Sequence, residues 1–120
     1  MTSRQQTLGR WGEETAVEYL KTTGHVILER NVRTRDGELD IVAQKDGLLV
    51  FVEVKARSEH ALLQPEEAVT PRKQRRMLAV AERYLQEHPD SGDAWQFDVL
   101  AITRHPGSAP TIEHFENVIA

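Results

Sequence analysis

Asp36-Gly37-Glu38-Leu39-Asp40-Ile41-Val42-Ala43-Gln44-Lys45-Asp46-Gly47-Leu48-Leu49-Val50-Phe51-Val52-Glu53-Val54-Lys55-Ala56-Arg57 is the stretch that decides the fold of this 120-residue chain. Two apolar, β-branched runs flank Asp46-Gly47, and Asp-Gly between such runs is a strong hairpin signal. A tight turn there sets Lys45 against Leu48, Ala43 against Val50 and Ile41 against Val52. The next steps along the pleat bring Asp40 opposite Glu53 and Glu38 opposite Lys55. Strand side chains alternate, so Glu38, Asp40, Val42, Phe51, Glu53 and Lys55 are expected on one face. Leu39, Ile41, Ala43, Val50, Val52 and Val54 are expected on the other.

Directly opposed strand residues have Cβ atoms about 5 Å apart, and like charges placed there destabilise the pair. Asp40 against Glu53, within so apolar a hairpin, calls for a compensating cation. Lys55 supplies some of that charge, and a divalent metal held by both carboxylates would supply the rest.

Upstream, Leu8 to Thr23 reads as a helix with Ala16, Val17 and Leu20 on its apolar stripe and Gly24 as its stop. Glu13 falls in line with that stripe, three and four residues before Ala16 and Val17, so it is expected to point at the sheet. Gly9 and Gly12 are expected to allow close packing beside it. Val26 to Val32 reads as the first strand and Thr34 to Gly37 as a polar turn. Downstream, Ser58 to Glu67 is expected as a loop carrying His60.

Thr70-Pro71 starts a second helix, with Thr70 as N-cap and Pro71 in the first turn, running to about Glu87. Its stripe of Met77, Leu78, Ala81, Tyr84 and Leu85 extends back to Gln74, flanked by Lys73 and Arg76. Lys73, Gln74 and the positive helix start form a candidate phosphate site. Phe97 to Ile102 is a fourth strand, in which Asp98 reads as an exposed-face or strand-start acid. Thr111 to Val118 reads as a short edge strand that could pair two copies of the chain. His25, His88, His105 and His114 show no metal-ligand spacing. The expectation is a single α/β domain over residues 1–120, in the order α-β-β-β-α-β-(β), with a mixed central sheet flanked by helices.

Composition agrees with this class. Hydrophobic residues make up 39% and charged residues 28%, as in a folded globular chain rather than a disordered one. Without cysteine, disulfides, thiolate zinc sites and cysteine nucleophiles are excluded. No apolar run is long enough to span a bilayer and no signal-peptide pattern precedes the first helix, so the expected location is the cytoplasm. The net charge of −4 rules out a bulk polycation. Arg30, Arg33 and Arg35 before the hairpin, and Arg72, Lys73, Arg75 and Arg76 after it, still leave basic surface around an acidic centre, compatible with phosphate-backbone binding.

The opposed acids and the neighbouring lysine suit phosphodiester hydrolysis. That chemistry needs a metal to polarise the phosphate and activate water, and a cation to offset developing charge. Asp40 and Glu53 are hard oxygen ligands for Mg²⁺ or Mn²⁺, the Val54 carbonyl can add a ligand, and Glu13 can complete the set from the helix. Paired carboxylates of glycosidase type fit less well, because Lys55 has no role there.

Asp40 with Glu53-Val54-Lys55 resembles the PD-(D/E)xK nuclease motif, with Leu39 in place of the proline. More closely, Gly9-Arg10-Trp11-Gly12-Glu13, Arg30-Asn31, Gly37-Glu38-Leu39-Asp40-Ile41, Phe51-Val52-Glu53-Val54-Lys55-Ala56-Arg57, Lys73-Gln74-Arg75-Arg76 and Phe97-Asp98-Val99 resemble the bacterial YraN-like family. The resemblance covers Leu8 to Ile102 and implies a restriction-endonuclease-like fold related to archaeal Holliday-junction resolvases. It implies a Mg²⁺- or Mn²⁺-dependent nuclease acting on DNA, branched DNA included, with Asp40, Glu53, Lys55 and Glu13 as catalytic positions. Asp40, Glu53, Glu13 and the Val54 carbonyl are the implied metal ligands. Arg10, Arg57, Arg72, Lys73, Gln74 and Arg76 are the positions expected to meet nucleic acid. The alternative is a nucleic-acid- or partner-binding module that keeps the fold without turnover.

Overall fold

The computed structural model describes residues 3–60 and 69–119. The Asp-Gly turn forms as expected. Asp46 and Gly47 both take positive φ, 52° and 79°, the pairing that matches the twist of the flanking strands. The hairpin strands are β2 (Gly37–Lys45) and β3 (Leu48–Ser58), and their ladder runs from Lys45 opposite Leu48 to Ile41 opposite Val52.

Ahead of them lie helix α1 (Arg4–Thr22) and strand β1 (Val26–Thr34). The helix starts four residues earlier than Leu8 because Ser3 and Gln6 form a reciprocal capping box. Ser-x-x-Gln is legible in the sequence as such a start. Helix α2 (Pro71–Glu87) begins at the expected Thr70 cap and follows β3. Then come β4 (Trp95–Arg104) and β5 (Thr111–Phe115). Most of the loop expected between Ser58 and Glu67, including Leu62 and Leu63, lies outside the described residues.

The five strands stand in chain order in one sheet. β3 and β4 are parallel, with α2 as their crossover, and the other pairs are antiparallel. The chain is thus one compact α/β domain with a mixed sheet in the order α-β-β-β-α-β-β. Each helix covers one face. Under α1, Ala16, Val17 and Leu20 pack on Ile41, Val50, Val52, Leu100 and Ile102. Under α2, Met77, Val80, Ala81 and Tyr84 pack on Leu39, Val42, Phe51, Phe97 and Val99. Among the described residues, no helix is long and apolar enough to cross a membrane.

One expectation about faces changes. Leu39 belongs to the α2 cluster while Ile41 belongs to the α1 cluster, although residues two apart share a face in a regular strand. β1 turns over at the same level: Arg30 bonds to α1, whereas Val32 packs with the α2 cluster. Arg30 pairs with Ile41 and Val32 with Leu39, so the residues between them, Asn31 and Asp40, mark a coupled change of face. Asn31 has φ of 53°, a left-handed conformation that asparagine tolerates better than other non-glycine residues.

Asp98 is not an exposed acid. It is fully buried, and its Oδ1 accepts from Gln96 Nε2 at 2.8 Å and from the Asn117 backbone N–H at 2.9 Å. Its Oδ2 lies 2.7 Å from His114 Nε2, and His114 Nδ1 lies 3.0 Å from the Tyr19 hydroxyl. The network ties β4, β5 and α1 together. Burial of the phenol, followed by the charges of Glu116 and Asp98, pushes the Tyr19 pKa up.

The two glycines of α1 also separate. A Cβ on Gly12 would come within 2.5 Å of Ala56 Cβ, whereas one on Gly9 would meet nothing within 4 Å. Of the two, Gly12 alone is a close-packing glycine. Gly12→Ala is expected to cost about 1–3 kcal/mol by overpacking, and Gly9→Ala to stabilise by up to about 1 kcal/mol through helix propensity; urea unfolding of the two variants checks the contrast. Asp98→Ala removes the acceptor for three groups and is expected to cost about 2–4 kcal/mol in the same assay.

Candidate functional site

The change of face at Asn31 and Asp40 places the Asp40 carboxylate sideways, toward β3. The continuous β2–β3 ladder ends at Ile41 opposite Val52. Beyond it, Asp40 Oδ2 accepts the Val54 backbone N–H at 2.8 Å. A side chain has taken the role of a main-chain acceptor. It is thereby pinned to the residue between Glu53 and Lys55. Direct opposition of Asp40 and Glu53 in a flat ladder is replaced by this bridge, and Glu38 pairs with Arg33 at 2.9 Å rather than with Lys55.

Asp40 consequently lines two hollows. One, of about 310 Å³, is walled by Gly37, Glu38, Glu53, Arg76, Met77, Val80 and Phe97 beneath α2. The other, of about 550 Å³, is walled by Gly9, Arg10, Glu13, Asn31, Arg33 and Val54 beside α1. Burial raises the Asp40 pKa, and the charges of Glu53 and Glu13 add to the rise; the Val54 N–H and Lys55 oppose it. Asp40 thus stands between two other carboxylates, with Glu53 on the first hollow and Glu13 on the second.

Glu13 is delivered by the first helix as expected. Its Oε1 accepts from Asn31 Nδ2 at 2.8 Å and from Arg30 Nε at 3.3 Å, and Arg30 also reaches Glu14 at 2.6 Å. In the sequence, Asn31 stands out only within a motif and Arg30 as one of a basic cluster; the structure pairs Arg30 with Glu13 and Glu14. An asparagine within a β-branched strand is the signal that could have marked the backbone irregularity.

Glu53 sits between two lysines. Lys55 Nζ is 3.7 Å from Oε1, and Lys73 Nζ is 3.0 Å from Oε2. Glu53 Oε2 is buried, and the Lys73 ammonium is set against it with no other donor among the described residues. A buried anionic oxygen balanced by a lone ammonium is one that another cation can take. Asp40 lines the same hollow as Glu53, and both offer the oxygen donors that hard divalent ions take.

The sequence places Lys73 beside a phosphate. Its side chain is instead only 11% exposed and turned to Glu53, because it precedes Met77 by one helical turn and lies on the buried stripe. Burial, then the neighbouring Lys55 ammonium, lowers its pKa against the opposing pull of Glu53.

The remaining basic positions divide. Arg72 and Arg76 are exposed on α2, and Arg10 is exposed on α1. Gln74 is half-buried. Arg57 donates to Thr103 Oγ1 at 3.0 Å and lies 3.6 Å from Glu113. His60 is 91% exposed and contacts Glu59. Among the described residues, the acids and histidines whose ligand atoms gather within 4.8 Å of one another as a set of three are Asp98, His114 and Glu116, not Glu13, Asp40 and Glu53. Sequence spacing does not reveal that set, since strand pairing between β4 and β5 brings it together.

The model of the uncharacterised protein family UPF0102 matches residues 12–102, a span holding Glu13, Asp40, Glu53, Lys55 and Lys73. A UPF0102 protein of Syntrophotalea carbinolica is 46% identical over 115 residues, 96% of this chain and 93% of the relative. One from Syntrophomonas wolfei is 47% identical over 110 residues, 92% of this chain and 95% of the relative. One from Pelotomaculum thermopropionicum is 42% identical over 118 residues, 98% of each chain. The chain belongs to the UPF0102 family, in keeping with the YraN-like motifs.

A raised native pKa at Asp40 means that its ionised form is disfavoured in the fold. Its stabilising contribution is full below the ordinary value of 3.8 and is lost as pH rises through the raised native value. Asp40→Asn keeps an acceptor for Val54 and cannot ionise. In metal-free buffer its thermal midpoint is expected above wild type at neutral pH, with the gap closing below pH 3.8; melting curves from roughly pH 3 to 8, which bracket the aspartate titration, check this.

Proposed function

We propose that this UPF0102 member is a divalent-metal-dependent nuclease that hydrolyses phosphodiester bonds of DNA, branched or otherwise structured DNA included. The observation that carries the reading is the Asp40–Val54 bridge, which sets Asp40 beside Glu53 and Lys55, with Glu53 Oε2 buried against the Lys73 ammonium. Asp40, Glu53 and the Val54 carbonyl would hold Mg²⁺ or Mn²⁺, with Glu13 closing the set from α1. A bound ion of this kind polarises the scissile phosphate and lowers the pKa of a coordinated water.

The chain's own residues do the rest. Lys55 is half-exposed on the strand that carries Glu53, where its ammonium can orient water or offset charge on the phosphate. Asn31 and Arg30 hold Glu13 in place. Arg10 and Arg33 on one side of Asp40, and Arg76 on the other, line the two hollows and can neutralise flanking phosphates. Arg72 extends that cationic rim along α2. The PD-(D/E)xK assignment and the kinship with archaeal resolvases belong to this proposal, as do a cytoplasmic location and pairing of two copies along β5.

The excess of acidic over basic residues, 19 against 15, favours one rival, a binding module without turnover that needs help from a partner to hold DNA. Cleavage assays separate the two. Labelled single-stranded, duplex and four-way DNA are expected to be cut only with Mg²⁺ or Mn²⁺. Lys55→Ala is expected to lower the rate by about a hundredfold or more, with an unchanged circular dichroism spectrum. Clean protein that cuts none of the three with either ion overturns the nuclease reading, and metal-independent, salt-sensitive binding in its place supports the module.

A further inference from the structure

We infer that Lys73 is a tethered cation that holds the Glu53 oxygen meant for a metal, so that lysine and divalent ion exclude one another at the site. The inference rests on the metal-dependent reading above. Its ground is geometric. Lys73 Nζ lies 3.0 Å from Glu53 Oε2, and that buried oxygen has no other donor among the described residues.

That position comes from the helix. Thr70 caps α2 and its hydroxyl accepts the Lys73 backbone N–H at 3.2 Å, so residue 73 is fixed in the first turn. From there its side chain, only 11% exposed, is turned to Glu53. The start of a helix carries positive partial charge and gives a lysine no compensation. Glu53 is the acid that balances it, and Lys55 is a further cation on the same carboxylate.

Mg²⁺ coordinates carboxylate oxygen at about 2.0–2.1 Å. An ammonium that stayed at its present contact on the same oxygen would then sit within about 5 Å of a double positive charge in half-buried surroundings. Charges so close in half-buried surroundings repel strongly. The ammonium must leave Oε2 when the ion arrives. Lys55, 3.7 Å from the other oxygen and 44% exposed, need not move. Displacement frees a cation between Arg72 and Arg76, where a phosphate oxygen is the fitting acceptor. Lys73 then reports metal occupancy to the basic surface of α2.

The test is titration of the full chain with Mn²⁺ alone, by isothermal calorimetry, on wild type, Lys73→Met, Lys73→Gln, Lys73→Arg and Lys55→Met. Thermal unfolding is measured with and without the ion. Both neutral replacements at 73 are expected to bind Mn²⁺ about tenfold or more tightly, and Lys73→Arg, which keeps the charge, no more tightly than wild type. The metal-free midpoints of the neutral variants are expected to fall, and Mn²⁺ to raise them by more than it raises wild type. Folded neutral variants with wild-type affinity overturn the inference and leave the metal site standing. Equal tightening by Lys55→Met also overturns it, since the effect would be one of general charge. If neither wild type nor any variant binds Mn²⁺, the metal reading falls and this inference with it.

Discussion

The hydrogen bond from the Val54 backbone to the Asp40 carboxylate is the contact on which the acidic centre depends. It exists because β1 and β2 change face together at Asn31 and Asp40. A regular pleat would carry the Asp40 side chain to one face and leave the β2–β3 ladder to continue past Ile41. The positive φ of Asn31 breaks that regularity, and β2 and β3 separate immediately beyond the last pair. An acid at the point of separation can satisfy the freed N–H of the neighbour strand. Backbone irregularity of this kind recurs where a strand must re-aim a side chain.

Around that bond the charges are assembled from four elements. β2 brings Asp40, β3 brings Glu53 and Lys55, α1 brings Glu13, and α2 brings Lys73. Glu13 and Glu53 are each held by something distant in sequence, Glu13 by Arg30 and Asn31, Glu53 by Lys73. Burying such ions costs several kcal/mol apiece before their mutual attraction is counted. The arrangement is therefore a poor way to stabilise a domain, and under the proposed reading it keeps a cation site ready. The raised pKa of Asp40 expresses the same tension.

A different polar network serves stability. Asp98 is buried as deeply as any core residue, but its oxygens meet Gln96, the Asn117 backbone and His114. With both oxygens paired, the acid acts as a clamp that fastens β5 and the chain after it to β4. Val118 adds a backbone bond to Phe97 at 2.8 Å. Glu53 differs in that its buried Oε2 meets only the Lys73 ammonium among the described residues, where each Asp98 oxygen has a hydrogen-bonded partner.

Much of this was legible in the residues. Asp46-Gly47 determined the hairpin and its register as far as Ile41 and Val52, because a tight turn leaves no freedom in the pairing. Thr70-Pro71 determined the start of α2, and the alternating and helical apolar patterns determined the element order and the layering. They also placed Asp40, Glu53, Lys55 and Glu13 near one another. Local signals of that kind act over a few residues and survive in any context. The change of face at Asn31 and Asp40, the turn of Lys73 onto Glu53, the close approach of Gly12 but not Gly9, and the burial of Asp98 with His114 were decided only by the tertiary structure. Each depends on which surfaces meet across strands and helices far apart in the chain, and no periodicity within one segment carries that information.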